Sequence, residues 1–121
     1  MPAQTEFPIV FRKLKSILKP YASRLSLKAD TDKGFYLDGP YSEKWKKDLF
    51  FGAAQIKKNY VSFHLMPVYM CPDLLKDISP ELRKHMQGKS CFNFKKVDAP
   101  LFDELSQLTK RGFERFMKEE Y

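Results

Sequence analysis

The sequence contains few cysteines, few glycines and no long hydrophobic run, and each scarcity excludes a class of protein. Its two cysteines, Cys71 and Cys91, cannot form the disulfide framework of a small secreted domain. The five glycines are scattered singly, so neither a GxGxxG nor a GxxxxGK[ST] phosphate loop is present. No apolar run approaches the ~20 residues that a membrane-spanning helix needs. The sequence therefore predicts a cytoplasmic protein that does not use the membrane as a partner.

The residues that most often bind metals or act as nucleophiles are also scarce. His64, His85, Cys71 and Cys91 do not follow the spacing of CxxC, HxxxH or HExxH motifs. We therefore assign no catalytic residue, metal ligand or cofactor from the sequence, and we favour a non-catalytic role. One alternative stays open, because Cys71 or Cys91 could meet His64 in the folded chain as a nucleophile and its base.

Basic residues outnumber acidic ones, giving a formal net charge of +7 and an isoelectric point near 9.4. The surplus lies almost entirely in residues 1–60, while residues 61–121 are nearly balanced. The lysines of residues 1–60 occur in clusters. Three aromatic residues lie close to these clusters in the sequence: Tyr41, Trp45 and Tyr60. Lysines with aromatic rings between them are typical of surfaces that bind nucleic acid without sequence preference. A solvated lysine surface that keeps the protein soluble would look the same.

The first third of the chain changes from a helical to a strand-like pattern. Val10, Leu14 and Leu18 follow helical spacing, and Pro20 ends this helix because proline cannot continue the hydrogen-bond ladder. Residues 24–29 then alternate apolar with polar side chains, as a half-buried strand does. A polar turn leads to a second strand at residues 35–37, so these two strands form a hairpin. Residues 1–5 are expected to fray.

The rest of the chain predicts a second hairpin, a helical region, a fifth strand and a closing helix. The hairpin strands cover residues 49–56 and 60–68, and the fifth strand covers residues 91–95. The element order is therefore α-β-β-β-β-α-β-α. Strands that follow one another as hairpins form a mostly antiparallel sheet, and amphipathic helices cover one of its faces. We predict a single α+β domain over residues 1–121 with a five-stranded sheet.

One face of the second hairpin combines aromatic, hydroxyl and imidazole groups. Tyr60, Ser62, His64 and Met66 alternate with apolar residues, so they share one side of the predicted strand. The neighbouring strand is unusually small-sided at residues 52–54, and a closely packed helix is the more common reason for this. We predict a ligand-binding face at these four residues, with Trp45 and Lys57 at its rim. The alternative is an ordinary half-exposed sheet face.

The run Phe50 to Tyr69 resembles the YdhG-like family of small bacterial domains. The shared pattern is a phenylalanine-and-alanine strand, a lysine turn, a strand ending in proline, a helix and then a Gly-Lys-Ser-Cys-Phe strand, here residues 88–92. The resemblance covers roughly residues 34–118. Some members carry a frataxin-like or iron-chaperone label, which implies carboxylate ligands for iron. In this sequence the first helix is lysine-rich, and acids cluster only at residues 103–104 and 114–120.

The sequence thus favours a binding module over an enzyme. The expected partner is a small ligand or a protein bound at the sheet face, by a monomer or a homodimer. Sequence-independent binding of nucleic acid or other anions by the basic N-terminal half is the first alternative. An iron-handling chaperone, as the resemblance implies, is the second.

Overall fold

The computed structural model describes residues 2–42, 46–88 and 90–118. Within these ranges the chain is an α+β protein, as predicted, with one antiparallel sheet and helices that pack on one of its faces. None of the helices in these ranges is long and apolar enough to cross a membrane.

Two long helices frame the chain, with short helices between strands. Helix α1 spans Pro2–Leu18 and is followed by a 3-10 turn at Lys19–Tyr21, while α4 spans Ala99–Lys118. Short helices α2 and α3 span Met66–Met70 and Pro80–Arg83, and a 3-10 turn at Pro72–Leu75 lies between them. Helix α1 begins before Pro8, so this proline lies inside the helix rather than at its start.

The sheet contains six strands in the described part of the chain, one more than predicted. They are β1 (Ser26–Asp30), β2 (Gly34–Ser42), β3 (Lys47–Ile56), β4 (Val61–Leu65), β5 (Met86–Gln87) and β6 (Cys91–Phe94). The spatial order is β1-β2-β3-β4-β6-β5, and every pairing is antiparallel. The additional strand, β5, has two residues and lies within the region that we predicted to be helical.

The hydrophobic core lies between the helices and one face of the sheet. Apolar residues at helical spacing on α1 and α4 are buried, among them Val10, Leu14 and Leu105. They meet Phe63 and Leu65 of β4, which alternate with polar residues on the strand as predicted. This alternation gives the sheet two chemically different faces, because successive side chains on a strand point in opposite directions.

The small-sided segment of β3 is where a helix packs closely, as predicted. A Cβ atom at Gly52 would lie 3.0 Å from Leu18 Cδ2 on α1 and 3.1 Å from the His64 carbonyl oxygen. Glycine at this position therefore lets α1 approach the middle of the sheet.

A β-bulge in β3 decides which phenylalanine enters the core. Leu37 pairs with Gly52 whereas Asp38 pairs with Phe50, so Phe51 is the additional residue on β3. Phe51 is fully buried against aromatic rings of α4, while its neighbour Phe50 points to the opposite face. In a regular strand, Phe51 and Gly52 would point to opposite faces of the sheet. Because of the bulge, both point to the face that the helices cover.

Candidate functional site

The described helices leave one face of the sheet uncovered; we call it the open face. Two rows of directly paired residues cross it. The first row is Tyr36, Ala53, His64, Cys91 and Gln87, and the second is Gln55, Ser62 and Asn93. Hairpin pairing joins β2, β3 and β4, but β6 reaches its place next to β4 from a distant part of the sequence.

Of the six predicted site residues, His64 and Ser62 lie on the open face. His64 is half-buried, whereas Ser62 is only 1% exposed and its hydroxyl donates a hydrogen bond to the Gln55 carbonyl oxygen at 3.5 Å. Ser62 therefore contributes a hydrogen bond within the sheet, and almost none of its side chain is accessible to a ligand.

The other four predicted residues lie in different places. Tyr60 is half-buried just before β4, and Lys57 is exposed in the turn between β3 and β4. The predicted strand position of Met66 is wrong, because β4 ends at Leu65 and Met66 begins α2, where Pro67 follows in the first helical turn. Trp45 lies outside the described residues.

The most concentrated chemistry on the open face is a Cys-His-Asn cluster. Cys91 Sγ lies 3.6 Å from His64 Nε2 and 3.3 Å from Asn93 Oδ1. A thiol carries one proton, so it can donate to only one of these two groups at a time. The Phe50 ring approaches His64 edge-on, with 6.4 Å between ring centroids, and Tyr36 packs on Phe50. The alternative pairing of Cys71 with His64 does not occur, because Cys71 is buried in the core.

Both titratable groups of this cluster are held in their neutral forms. Burial lowers the pKa of His64, and the nearby charge of Lys57 lowers it further. Burial raises the pKa of the Cys91 thiol, although Lys57 partly opposes this effect. A nucleophilic cysteine needs the opposite, a lowered pKa that populates the thiolate. The cluster therefore presents a neutral thiol facing a neutral imidazole.

The lowered pKa of His64 makes stability depend on pH in a defined direction. In the unfolded chain His64 has its ordinary pKa of 6.5, so below that pH the unfolded state binds a proton more readily than the folded state. The contribution of His64 to the free energy of unfolding is complete above pH 6.5 and is lost as pH falls towards the folded pKa. We expect His64→Gln to flatten the pH dependence measured by urea unfolding between about pH 5 and 7.5. An equally steep dependence in the variant would contradict this assignment.

A groove of about 580 Å³ opens where β4 begins and β6 ends; we call it the end groove. It combines two rings, two side-chain amides, two lysines, one valine and one carboxylate: Tyr60, His85, Gln87, Asn93, Lys95, Lys96, Val97 and Asp98. Asn93 belongs both to this groove and to the Cys-His-Asn cluster, so the groove continues the open face.

Hydrogen bonds and stacking fix two of the groove's polar groups. His85 Nδ1 lies 2.8 Å from the Asn93 carbonyl oxygen, and because a carbonyl only accepts, Nδ1 carries the proton. In the neutral ring Nε2 is then an acceptor. The same ring stacks on Phe94 with 4.6 Å between centroids. Asp98 Oδ1 accepts a hydrogen bond from the Leu101 backbone N–H, so this carboxylate caps the start of α4.

Sequence reasoning missed most of the groove residues, since they come from separate segments that only the fold brings together. The alternation Cys91-Phe92-Asn93-Phe94 was a usable signal, because it puts Cys91 and Asn93 on the same side of a strand. No local pattern placed this strand beside His64.

The described carboxylates do not assemble the iron site that the family resemblance implies. Within residues 2–42, 46–88 and 90–118, no three His, Cys, Asp or Glu side chains come together as a metal site. Asp103 accepts a hydrogen bond from Gln107, and Glu104 accepts two from Ser79 at the start of α3. Glu119 and Glu120 lie outside the described residues.

Comparison with protein-family models, curated proteins and solved structures gives no match to this chain. The YdhG-like resemblance therefore stays a prediction, and the functional argument depends on the geometry of the site.

Proposed function

We propose that the protein is a non-catalytic binding module for a small anionic ligand, which it holds in the end groove of the open face. One observation carries the proposal: a concave site beside the sheet face combines two lysines and two amides with aromatic walls. Small-ligand sites usually have mostly apolar walls and a few convergent polar groups that fix orientation.

The charges of the groove favour an anion. Lys95 and Lys96 are both exposed, so their ammonium groups are free to reorient towards a ligand. Asp98 is the opposing charge, but its carboxylate is engaged as the cap of α4, where the helix dipole also favours a negative group. The net effect inside the groove is therefore positive.

The rings and amides of the groove favour a ligand with a flat part. Tyr60 and His85 offer ring surfaces, and the His85 ring is held by Phe94 and by the Asn93 carbonyl oxygen. Gln87 and Asn93 add amide donors and acceptors on the same side. A ring or carboxylate plane between these side chains, with its charge at the lysines, satisfies all of them.

The test is an NMR titration with inorganic phosphate, citrate and a nucleoside monophosphate as probes. At least one probe is expected to shift the backbone amide signals of residues 85–98 selectively. The double variant K95A/K96A should then lower the affinity by about tenfold or more, because each charged hydrogen bond is worth about 1.5–3 kcal/mol. Its stability should change little, since both side chains are exposed.

The matched control is K13A/K19A, which removes the same charge from exposed positions on α1 and on the 3-10 turn that follows it. It should leave probe binding unchanged. Equal losses in both double variants would mean that net charge, not the groove, attracts the anions. The absence of selective shifts with every probe would contradict the proposal.

The same two double variants distinguish anion binding in the end groove from the alternative, nucleic-acid binding by the basic N-terminal half. Binding to single-stranded RNA through the basic N-terminal half would weaken steeply with salt, because phosphate contacts release counterions. It would also be lost in K13A/K19A and retained in K95A/K96A. Lys15 is already engaged, since it pairs with Asp30 and lies over the Phe35 ring at 5.3 Å from its centroid. This engagement leaves α1 with fewer unpaired lysines than the sequence alone suggested.

A further inference from the structure

The Cys-His-Asn cluster of the open face shares Asn93 with the end groove, whereas His64 and Cys91 do not line that groove. Sγ of Cys91 faces Nε2 of His64 at 3.6 Å and Oδ1 of Asn93 at 3.3 Å. The geometry points to a binding site for one Zn²⁺ ion or a similar thiophilic divalent metal at Cys91, His64 and Asn93. Its fourth ligand would be water from the open side of the face.

The distances fit the metal's bond lengths. Zinc binds sulfur at about 2.3 Å and imidazole nitrogen at about 2.0–2.1 Å, usually with tetrahedral geometry. Two such ligands at a tetrahedral angle lie about 3.6 Å apart, which is the separation of Sγ and Nε2. The Asn93 amide oxygen lies 3.3 Å from the sulfur, a separation that two ligands of one ion also have when the angle between them is somewhat smaller. An ion can therefore bind between the sulfur and the imidazole nitrogen by displacing the thiol proton.

The donor atoms also match in chemical type. Thiolate and imidazole together are ligands that zinc prefers, whereas the carboxylates expected of an iron chaperone are absent from this cluster. His64 and Cys91 pair directly across β4 and β6, so two hydrogen-bonded strands hold both ligands in place.

The binding step releases one proton. Cys91 loses its thiol proton to solvent, the sulfur–metal bond forms, and the neutral His64 nitrogen and Asn93 oxygen add their lone pairs. Lys57 is the described cation whose charge acts on both His64 and Cys91. Its side chain is exposed in a turn, so it can move away from an incoming cation.

The probe is Co²⁺, which occupies zinc sites and reports thiolate ligation through a charge-transfer absorption band. We expect the wild-type protein to develop this band at one equivalent of Co²⁺ and to lose it when Zn²⁺ is added. C91S should abolish the band, and H64Q should weaken Co²⁺ binding at least tenfold. N93L should weaken binding by about tenfold, as expected of a ligand weaker than the other two.

The matched control is C71A, which removes the buried cysteine of the core and leaves the cluster intact. It should retain the band, and circular dichroism should show that each variant is folded. A wild-type protein without the band, a band that C91S retains, or a band that only C71A removes would overturn the proposal. K95A/K96A should keep the band, so failure of the metal site and failure of the anion groove are separate outcomes.

Discussion

Replacing Phe51 by alanine is expected to lower the free energy of unfolding by about 3–5 kcal/mol, the usual cost of deleting a buried aromatic ring. Phe51 is fully buried, and its ring contacts those of Tyr21, Phe113 and Phe116 at centroid distances of 5.9, 5.7 and 5.3 Å. These rings belong to different elements that meet above the sheet, so the cavity cannot close by moving one side chain. Urea unfolding of wild type and variant at pH 7 measures the difference.

The neighbouring residue provides a control with the same chemical change. Phe50 lies on the open face and is half-exposed, so Phe50→Ala should cost on the order of 1 kcal/mol. The large difference between adjacent phenylalanines follows from the β-bulge that turns Phe51 into the core. Equal costs, or a larger cost for Phe50→Ala, would show that the bulge does not orient these side chains as described.

Local periodicity was enough to predict the architecture of this chain. The stripe of Val10, Leu14 and Leu18 and the apolar positions after residue 99 predicted the two long helices, which lie on the same face of the sheet. The two hairpins followed from alternating patterns on either side of polar turns, because each partner strand is close in sequence. Such features need no knowledge of distant contacts.

The errors occurred where long-range contacts decide the structure. The two-residue strand β5 is too short to show a pattern, and it exists because β6 lies beside it. The predicted strand extended to residue 68, but β4 ends at Leu65 and Met66 begins α2, with Pro67 in its first turn. The bulge at Phe51 is equally invisible, since it appears only as a shift in pairing between β2 and β3.

The candidate site could be predicted only in part for the same reason. Ser62 and His64 were predicted to share a face because they alternate with apolar residues along one strand, and the structure places both on the open face. Cys91 and Asn93 lie beside His64 only because β6 pairs with β4. In the sequence, α2, a 3-10 turn, α3 and β5 lie between these two strands. Lys95 and Lys96 follow β6 into the end groove, and His85 reaches it just before β5, which pairs with β6. The arrangement of the site residues therefore depends on the order of the strands in the sheet, and local sequence patterns do not predict that order.

Substituting Gly39 by alanine is expected to destabilise the protein by about 1–3 kcal/mol, because the added methyl group overpacks the core. A Cβ atom at this position of β2 would overlap the Phe116 ring of α4, and it would also lie 3.1 Å from the Leu49 carbonyl oxygen. Phe116 is only 1% exposed and packs against Phe51, so its ring has no free space into which to turn. The cost of G39A should therefore appear as lost stability in urea unfolding.

A double-mutant cycle with Phe116→Leu identifies the cause of that cost. Leucine is smaller than phenylalanine and leaves room for the new methyl group, so G39A/F116L should be more stable than the sum of the single effects by about 1 kcal/mol. Gly34→Ala in the same strand is the matched control, since its Cβ atom would make only an ordinary contact, 3.8 Å from Thr31 Oγ1. Its effect should stay within about 0.5 kcal/mol. If the two changes at Gly39 and Phe116 were simply additive, the loss would arise from the strand backbone rather than from contact between β2 and α4.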